Sequence, residues 1–190
     1  MHELILGLVV FLGAHSVAIV SPPWRDAMAA QLGARLWRAL YSIVSILGFL
    51  LIVHGYGAAR VAPHVLYAPP VLLHYAAVLL MVPVFPLLLA AYLPGRIKAT
   101  VKHPMLTATT AWALAHLLAN GTLADVLLFG GFLAWAVADR ISVGKRPPRA
   151  IAGAPPSRYN DAIAVIGGLV LYVVFIAWLH ARWFGVSPLP

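Results

Sequence analysis

The chain of 190 residues carries more apolar surface than a water-soluble protein of this length can bury. Hydrophobic residues make up 63% of it and charged residues 9%, against about 45–50% and about 25% in ordinary soluble domains, so a soluble globule is excluded. There is no cysteine, which excludes disulfides, thiolate metal sites and cysteine nucleophiles. The composition therefore predicts an integral membrane protein whose metal chemistry would depend on its eight histidines.

Six segments are apolar enough to predict membrane-spanning helices, which need roughly 20 mostly apolar residues each. In chain order these segments cover residues 3–20, 36–57, 71–93, 104–119, 122–141 and 160–184. The first lacks the basic start and small-residue cleavage site of a secretory signal, so it is interpreted as a span. The sequence thus predicts an all-α, polytopic membrane protein with one transmembrane domain over residues 1–190.

The net charge of +8 predicts how this chain crosses the membrane. Eleven of the thirteen Lys and Arg residues belong to the first, third and fifth connections, and only Arg60 and Arg182 belong to the other side. Because cytoplasmic loops are enriched in Lys and Arg, both termini are predicted to be periplasmic in a bacterial inner membrane. The basic residues do not form one patch interleaved with aromatic residues, so no nucleic-acid partner is predicted.

Proline and glycine predict irregular or tight packing in two of the spans. Pro83 and Pro86 remove backbone donors inside the third span, where a kink is expected. Gly167 and Gly168 in the sixth span predict a close approach of two helices.

The start of the fifth span has the spacing of a capping box. Thr122 precedes the helix and Asp125 follows three residues later, which predicts a structural role for this acid. The alternative is a proton relay near the outer surface. The fifth connection, residues 142–159, is basic and rich in proline, and it is expected to lie near anionic lipid.

Histidines within the spans are candidate functional residues, because ionisable side chains in a membrane normally face a bundle interior. His15 and His116 lie about 18 Å and about 10 Å below the outer boundary at 1.5 Å of rise per residue, an offset of about 8 Å that suits a tilted porphyrin. Neither histidine has an acid or a thiol beside it to complete a site for a free metal ion. Haem iron, in contrast, needs only one or two ligands beyond those of the porphyrin. Hydrogen bonds between helices remain the alternative for each histidine.

Four further residues accompany this pair as candidate cofactor-binding residues. His54 and His74 lie near the outer surface, where they could form a second polar cluster with His116. Trp112 lies one helical turn before His116 and could stack beside a porphyrin or simply pack. His103 lies at the cytoplasmic start of the fourth span.

Motifs of the fourth and fifth predicted spans resemble a known family. They read His-Pro-Met-Leu at 103–106, Trp-Ala-Leu-Ala-His-Leu-Leu-Ala-Asn-Gly at 112–121, Leu-Phe-Gly-Gly-Phe-Leu-Ala-Trp at 128–135 and Asp-Arg at 139–140. With these residues the chain resembles the NnrU family of bacterial inner-membrane proteins over nearly its whole length. The resemblance implies an association with denitrification, through nitrite and nitric oxide reductase systems, without a defined reaction.

The NnrU family is in turn similar to 15-cis-zeta-carotene isomerase, a haem b protein. Its ligands are attributed to a His-Ser histidine and to the histidine that ends a Trp-x-x-x-His run, so this resemblance implies His15 and His116 as metal ligands. The isomerase has a cysteine where this chain has Ala113, which argues against redox-switched isomerisation. The His103-Pro104 element is also similar to isoprenylcysteine methyltransferases, but the acidic pair of those enzymes is missing.

The sequence leaves three functions as alternatives, and whether the protein is an enzyme stays open. The first is an NnrU-type protein that binds haem b for electron transfer or redox sensing in denitrification. The second is a haem-dependent cis–trans isomerase of a polyene dissolved in the bilayer. The third is a non-enzymatic assembly subunit of a nitrite or nitric oxide reductase. Hydrolase and nucleotidyl motifs are absent from the sequence.

Overall fold

The computed structural model describes residues 1–146 and 153–189. Helices account for 79% of the structure, and the described ranges contain no strand beyond one isolated bridge between Val65 and Thr122. The prediction of an all-α protein is confirmed. The helices are α1 (His2–Val20), α2 (Pro22–Ala59), α3 (Val71–Met81), α4 (Val84–Tyr92), α5 (Arg96–Val101), α6 (Pro104–Ala119), α7 (Leu123–Val143), α8 (Asn160–Val174) and α9 (His180–Phe184), with a π-helical turn at Phe175–Leu179 joining the last two.

Five stretches of the described chain are long and apolar enough to cross a membrane. They are His2–Val20, Pro22–Ala59, Val71–Tyr92, Leu123–Val143 and Asn160–Phe184. The remaining predicted span, residues 104–119, coincides with α6, whose 16 residues extend over about 24 Å at 1.5 Å per residue. Several helices thus suit a multi-pass membrane protein, and α6 is shorter than each of these five stretches.

The connection before the second predicted span, residues 21–35, is largely helical, because α2 already begins at Pro22. Proline suits the first turn of a helix because an N–H is unsatisfied there in any case. The helix is interrupted at Gly33, where φ is 77° and ψ is 154°, a conformation that is essentially restricted to glycine.

The chain divides into two compact units, the first made of residues 1–66 and 122–146 and the second of residues 67–121 and 153–189. In the first unit, α1 packs along α2 and against α7. Gly7, Gly48 and Gly55 make this contact possible, since a methyl group at any of them would meet the backbone of the facing helix.

In the second unit, α4 packs against α6 and α8, and α3 packs against α6. The predicted break in the third span is confirmed, because α3 ends at Met81 and Pro83 is the cap of α4. The close approach at the glycine pair is confirmed too: Gly168 lies directly against the backbone of Pro86.

Asp161 ties the short helix α5 to α8 in the second unit. Its carboxylate accepts hydrogen bonds from the backbone N–H of Arg96 at 2.8 Å and of Ile97 at 3.1 Å. A carboxylate at a helix N-terminus satisfies donors that have no partner within the helix. The fifth connection, which follows α7, lies partly outside the described residues, including Arg149.

Candidate functional site

His15 lies on α1 in the first unit, with one ring nitrogen fixed by the backbone. Its Nδ1 donates a hydrogen bond of 2.7 Å to the carbonyl of Phe11, one turn earlier. Because a carbonyl can only accept, the proton lies on Nδ1, and Nε2 of the neutral ring is the nitrogen that can bind a metal.

Aromatic rings from three helices surround the His15 imidazole, which is half-buried. Phe11 stacks on it with ring centroids 4.2 Å apart, Tyr41 of α2 lies at 5.2 Å, and Trp135 of α7 meets it edge-on at 5.9 Å. The indole Nε1 of Trp135 is buried and has no hydrogen-bond partner among the described residues. A buried donor without an acceptor is uncommon in folded proteins.

These aromatic neighbours of His15 were not named as site residues by the sequence analysis. Phe11 could have been found from its helical spacing to His15, because residues four apart share a helix face. Trp135 ends the Leu-Phe-Gly-Gly-Phe-Leu-Ala-Trp motif, which was a signal for its importance. Tyr41 has no comparable signal, since its contact depends on how α2 packs against α1.

His116 lies on α6 in the second unit and shows the same backbone bond as His15. Its Nδ1 donates to the carbonyl of Trp112 at 2.8 Å, and the two rings are 5.2 Å apart. The carbonyl of His116 accepts from both the backbone and the side-chain nitrogen of Asn120, each at 2.9 Å. The structure therefore brings Trp112 and His116 together, as their spacing predicts.

His54 has a structural partner. Its Nδ1 lies 2.7 Å from a carboxylate oxygen of Glu3, so this pair links α2 to α1 within the first unit. Both side chains are exposed, by 77% and 52%, and such pairs contribute little to stability in water. His54 belongs to the first unit, whereas His74 and His116 belong to the second.

The contacts of His74 and His103, the other candidate histidines of the second unit, support a cofactor-binding role less well. Nδ1 of His74 lies 3.4 Å from the carbonyl of Pro70, which is long for a hydrogen bond. His103 caps α6 through its backbone, where its carbonyl accepts from the backbone N–H and the hydroxyl of Thr107. The described ranges contain no group of three or more His, Asp or Glu residues that could hold a metal ion.

Asp125 forms the predicted capping box at the start of α7. Its carboxylate accepts from the backbone N–H of Thr122 at 2.9 Å, while the Thr122 hydroxyl accepts from the Asp125 N–H. The hydroxyl of Tyr56 on α2 donates to the other carboxylate oxygen at 2.5 Å. These bonds account for a carboxylate that is only 4% exposed, so its structural role is confirmed.

A family model described as NnrU protein matches residues 3–188. No curated protein and no solved structure matches the chain.

Proposed function

The chain belongs to the NnrU family, and from this premise we propose that it is a bacterial inner-membrane protein of denitrification that binds haem b through His15 and His116. In this proposal the protein serves electron transfer or redox sensing in the reduction of nitrite or nitric oxide. Components of the corresponding reductases are its partners.

The hydrogen bonds of the two histidines carry the haem proposal. In both, Nδ1 donates to the carbonyl four residues earlier, at 2.7 Å in His15 and 2.8 Å in His116. Histidines that ligate metals almost always donate their second N–H to a carboxylate, a backbone carbonyl or water, which fixes the ring and raises its basicity. The same bond in His74 is 3.4 Å long, so the feature separates the proposed ligands from this neighbour.

The surroundings of His15 fit a porphyrin as well. Phe11, Tyr41 and Trp135 offer flat apolar surfaces, and the Nε1 of Trp135, which has no partner among the described residues, offers a donor for a polar group of the cofactor. Haem held by His15 and His116 would supply one-electron redox chemistry at this site. The protein's own contribution is to orient the imidazole and to keep water away from it.

The membrane arrangement in the proposal has six spans, with α6 as the fourth span in chain order and both termini in the periplasm. The distribution of Lys and Arg supports it. A helix of about 24 Å is shorter than the roughly 30 Å hydrocarbon core, and such a mismatch is tolerated through local thinning of the bilayer.

An absorption spectrum of detergent-purified protein tests the cofactor. Expression with adequate haem should give a Soret band, and His15→Ala and His116→Ala should each lower haem occupancy or shift the band. His180→Ala is the matched control, because the Nδ1 of His180 also bonds a backbone carbonyl, that of Val186 at 2.7 Å, yet it is not a proposed ligand.

Other results of these experiments would contradict the haem proposal or favour another function. A preparation without a Soret band rejects haem, and a band that survives unchanged in both variants rejects these ligands. Colourless protein that co-purifies with a reductase would favour the assembly subunit. Conversion of a cis-carotenoid by cells given only this gene would favour the isomerase.

A further inference from the structure

The first unit contains a cavity of about 310 Å³ where α1 and α7 end. No histidine lines it, so it is separate from the proposed haem ligands. Its lining residues are Ile19, Pro22, Ala138, Ile141, Ser142, Lys145 and Arg146. More than half of these side chains are apolar, and the polar ones all come from the end of α7 and the residues just after it.

Arg146 forms a fixed and neutralised part of the cavity wall. One guanidinium nitrogen donates to Asp139 at 2.7 Å and another to the carbonyl of Ala18 at 2.8 Å. The Arg146 and Asp139 side chains are only 15% and 13% exposed, so this pair joins the ends of α1 and α7 with little help from water. The positive charge of Arg146 is therefore balanced by Asp139.

Lys145 adds a positive charge that the described residues do not balance. Its side chain is exposed, and it forms no ion pair within the described ranges. Next to it, Ser142 offers a hydroxyl, while Ile19, Pro22 and Ile141 offer an apolar wall. The cavity thus suits a molecule with one negative charge and an apolar part.

The position of the cavity indicates where such a molecule comes from. It lies at the end of two helices that are long and apolar enough to span a membrane, which is the level of the lipid headgroups. Trp24, two residues after the lining Pro22, is 52% exposed, and exposed Trp rings are favoured at this level. Basic pockets between membrane helices bind anionic headgroups.

We propose that this cavity binds one anionic phospholipid. The phosphate lies between Lys145 and Ser142, and the first part of an acyl chain lies along Ile19, Pro22 and Ile141. The proposal does not depend on haem, since it rests on the membrane helices and on the cavity alone.

Native mass spectrometry of the detergent-purified protein tests the proposal. The protein is titrated with equal amounts of phosphatidylglycerol, which carries one negative charge, and phosphatidylcholine, which is neutral overall. We expect one phosphatidylglycerol molecule to be retained in preference. Lys145→Gln should weaken that binding about fivefold, the effect of one basic residue near an anionic surface, and Ala138→Leu should weaken it by filling the cavity without changing the charge.

The matched control is Arg140→Gln, which removes one charge from the same end of α7 at a residue that does not line the cavity. It should leave the retained lipid in place. Equal retention of both lipids, or an equal loss in Arg140→Gln and Lys145→Gln, would overturn the proposal. Complete displacement by millimolar inorganic phosphate would also overturn it, because the site would then be one for a free anion. Thermal unfolding of each variant shows that a lost lipid is not a lost fold.

Discussion

At the scale of single residues, the five acidic side chains of the chain all have a partner in the structure. The partners are His54 for Glu3, Arg25 for Asp26, Thr122 and Tyr56 for Asp125, Arg146 for Asp139, and the backbone of residues 96–97 for Asp161. Carboxylates engaged in this way stabilise helix ends and helix contacts.

The contact between α1 and α2 predicts that alanine has opposite effects on stability at two glycines of α2. A methyl group at Gly55 would come within 2.8 Å of Cα of Leu4, whereas Gly57 has nothing within 4 Å. Gly55→Ala should therefore lower the thermal unfolding midpoint in detergent, at a cost of about 1–3 kcal/mol for forced overpacking. Gly57→Ala should raise the midpoint or leave it unchanged, because alanine is favoured over glycine within a helix by about 0.5–1 kcal/mol.

Equal midpoints for these two variants would show that α1 does not pack on α2 at this point. Circular dichroism at 222 nm during heating gives the measurement for both. The comparison is internal, since the two variants differ only by their position on the same helix.

At the scale of the helices, hydropathy identified where the apolar segments lie but not how each of them is built. The segments 3–20 and 104–119 agree closely with α1 and α6. The helix before residue 36 was missed because Pro22 and Pro23 are typical of a break as well as of a first helical turn. Hydropathy also does not predict the π-helical turn at Phe175–Leu179, because the apolar pattern continues through it.

The break in α2 at Gly33 predicts that a side chain at this position lowers the stability of the protein. A residue with a side chain is strained at φ 77° and ψ 154°, so Gly33→Ala should destabilise the protein by about 1–3 kcal/mol. Gly13→Ala is the control, because Gly13 lies within α1 and has nothing within 4 Å. Thermal unfolding in detergent measures both, and a Gly33→Ala variant as stable as the wild type would mean that α2 runs on without the break.

The candidate site was predictable only where its contacts are local in sequence. The ring of Trp112 beside His116 follows from their spacing of four residues. The pairing of His54 with Glu3 and the approach of Trp135 to His15 join residues far apart in the chain. Such contacts depend on which helices pack together, and neither composition nor periodicity specifies that.

At the scale of the whole molecule, the lack of cysteine allows the membrane topology to be measured directly. With six spans, His2→Cys and Ser187→Cys should both react with a membrane-impermeant maleimide in intact spheroplasts. Ser157→Cys in the fifth connection should react only after lysis, and the wild-type chain should not react at all. Labelling of positions 2 and 187 from opposite sides would indicate an odd number of spans, as in the arrangement of five stretches without α6, and would contradict the six-span arrangement.

The π-helical turn between α8 and α9 has a consequence for comparing chains of different length. A residue added to a helix rotates everything after it by about 100°, and a π turn is such an addition confined to one turn. Phe175 contacts the rings of His180 and Trp183 across this turn. A relative that lacks one residue here would keep the same apolar segment but present its equivalent of His180 in another direction, so insertions and deletions in this short stretch would change the helix face rather than the number of spans.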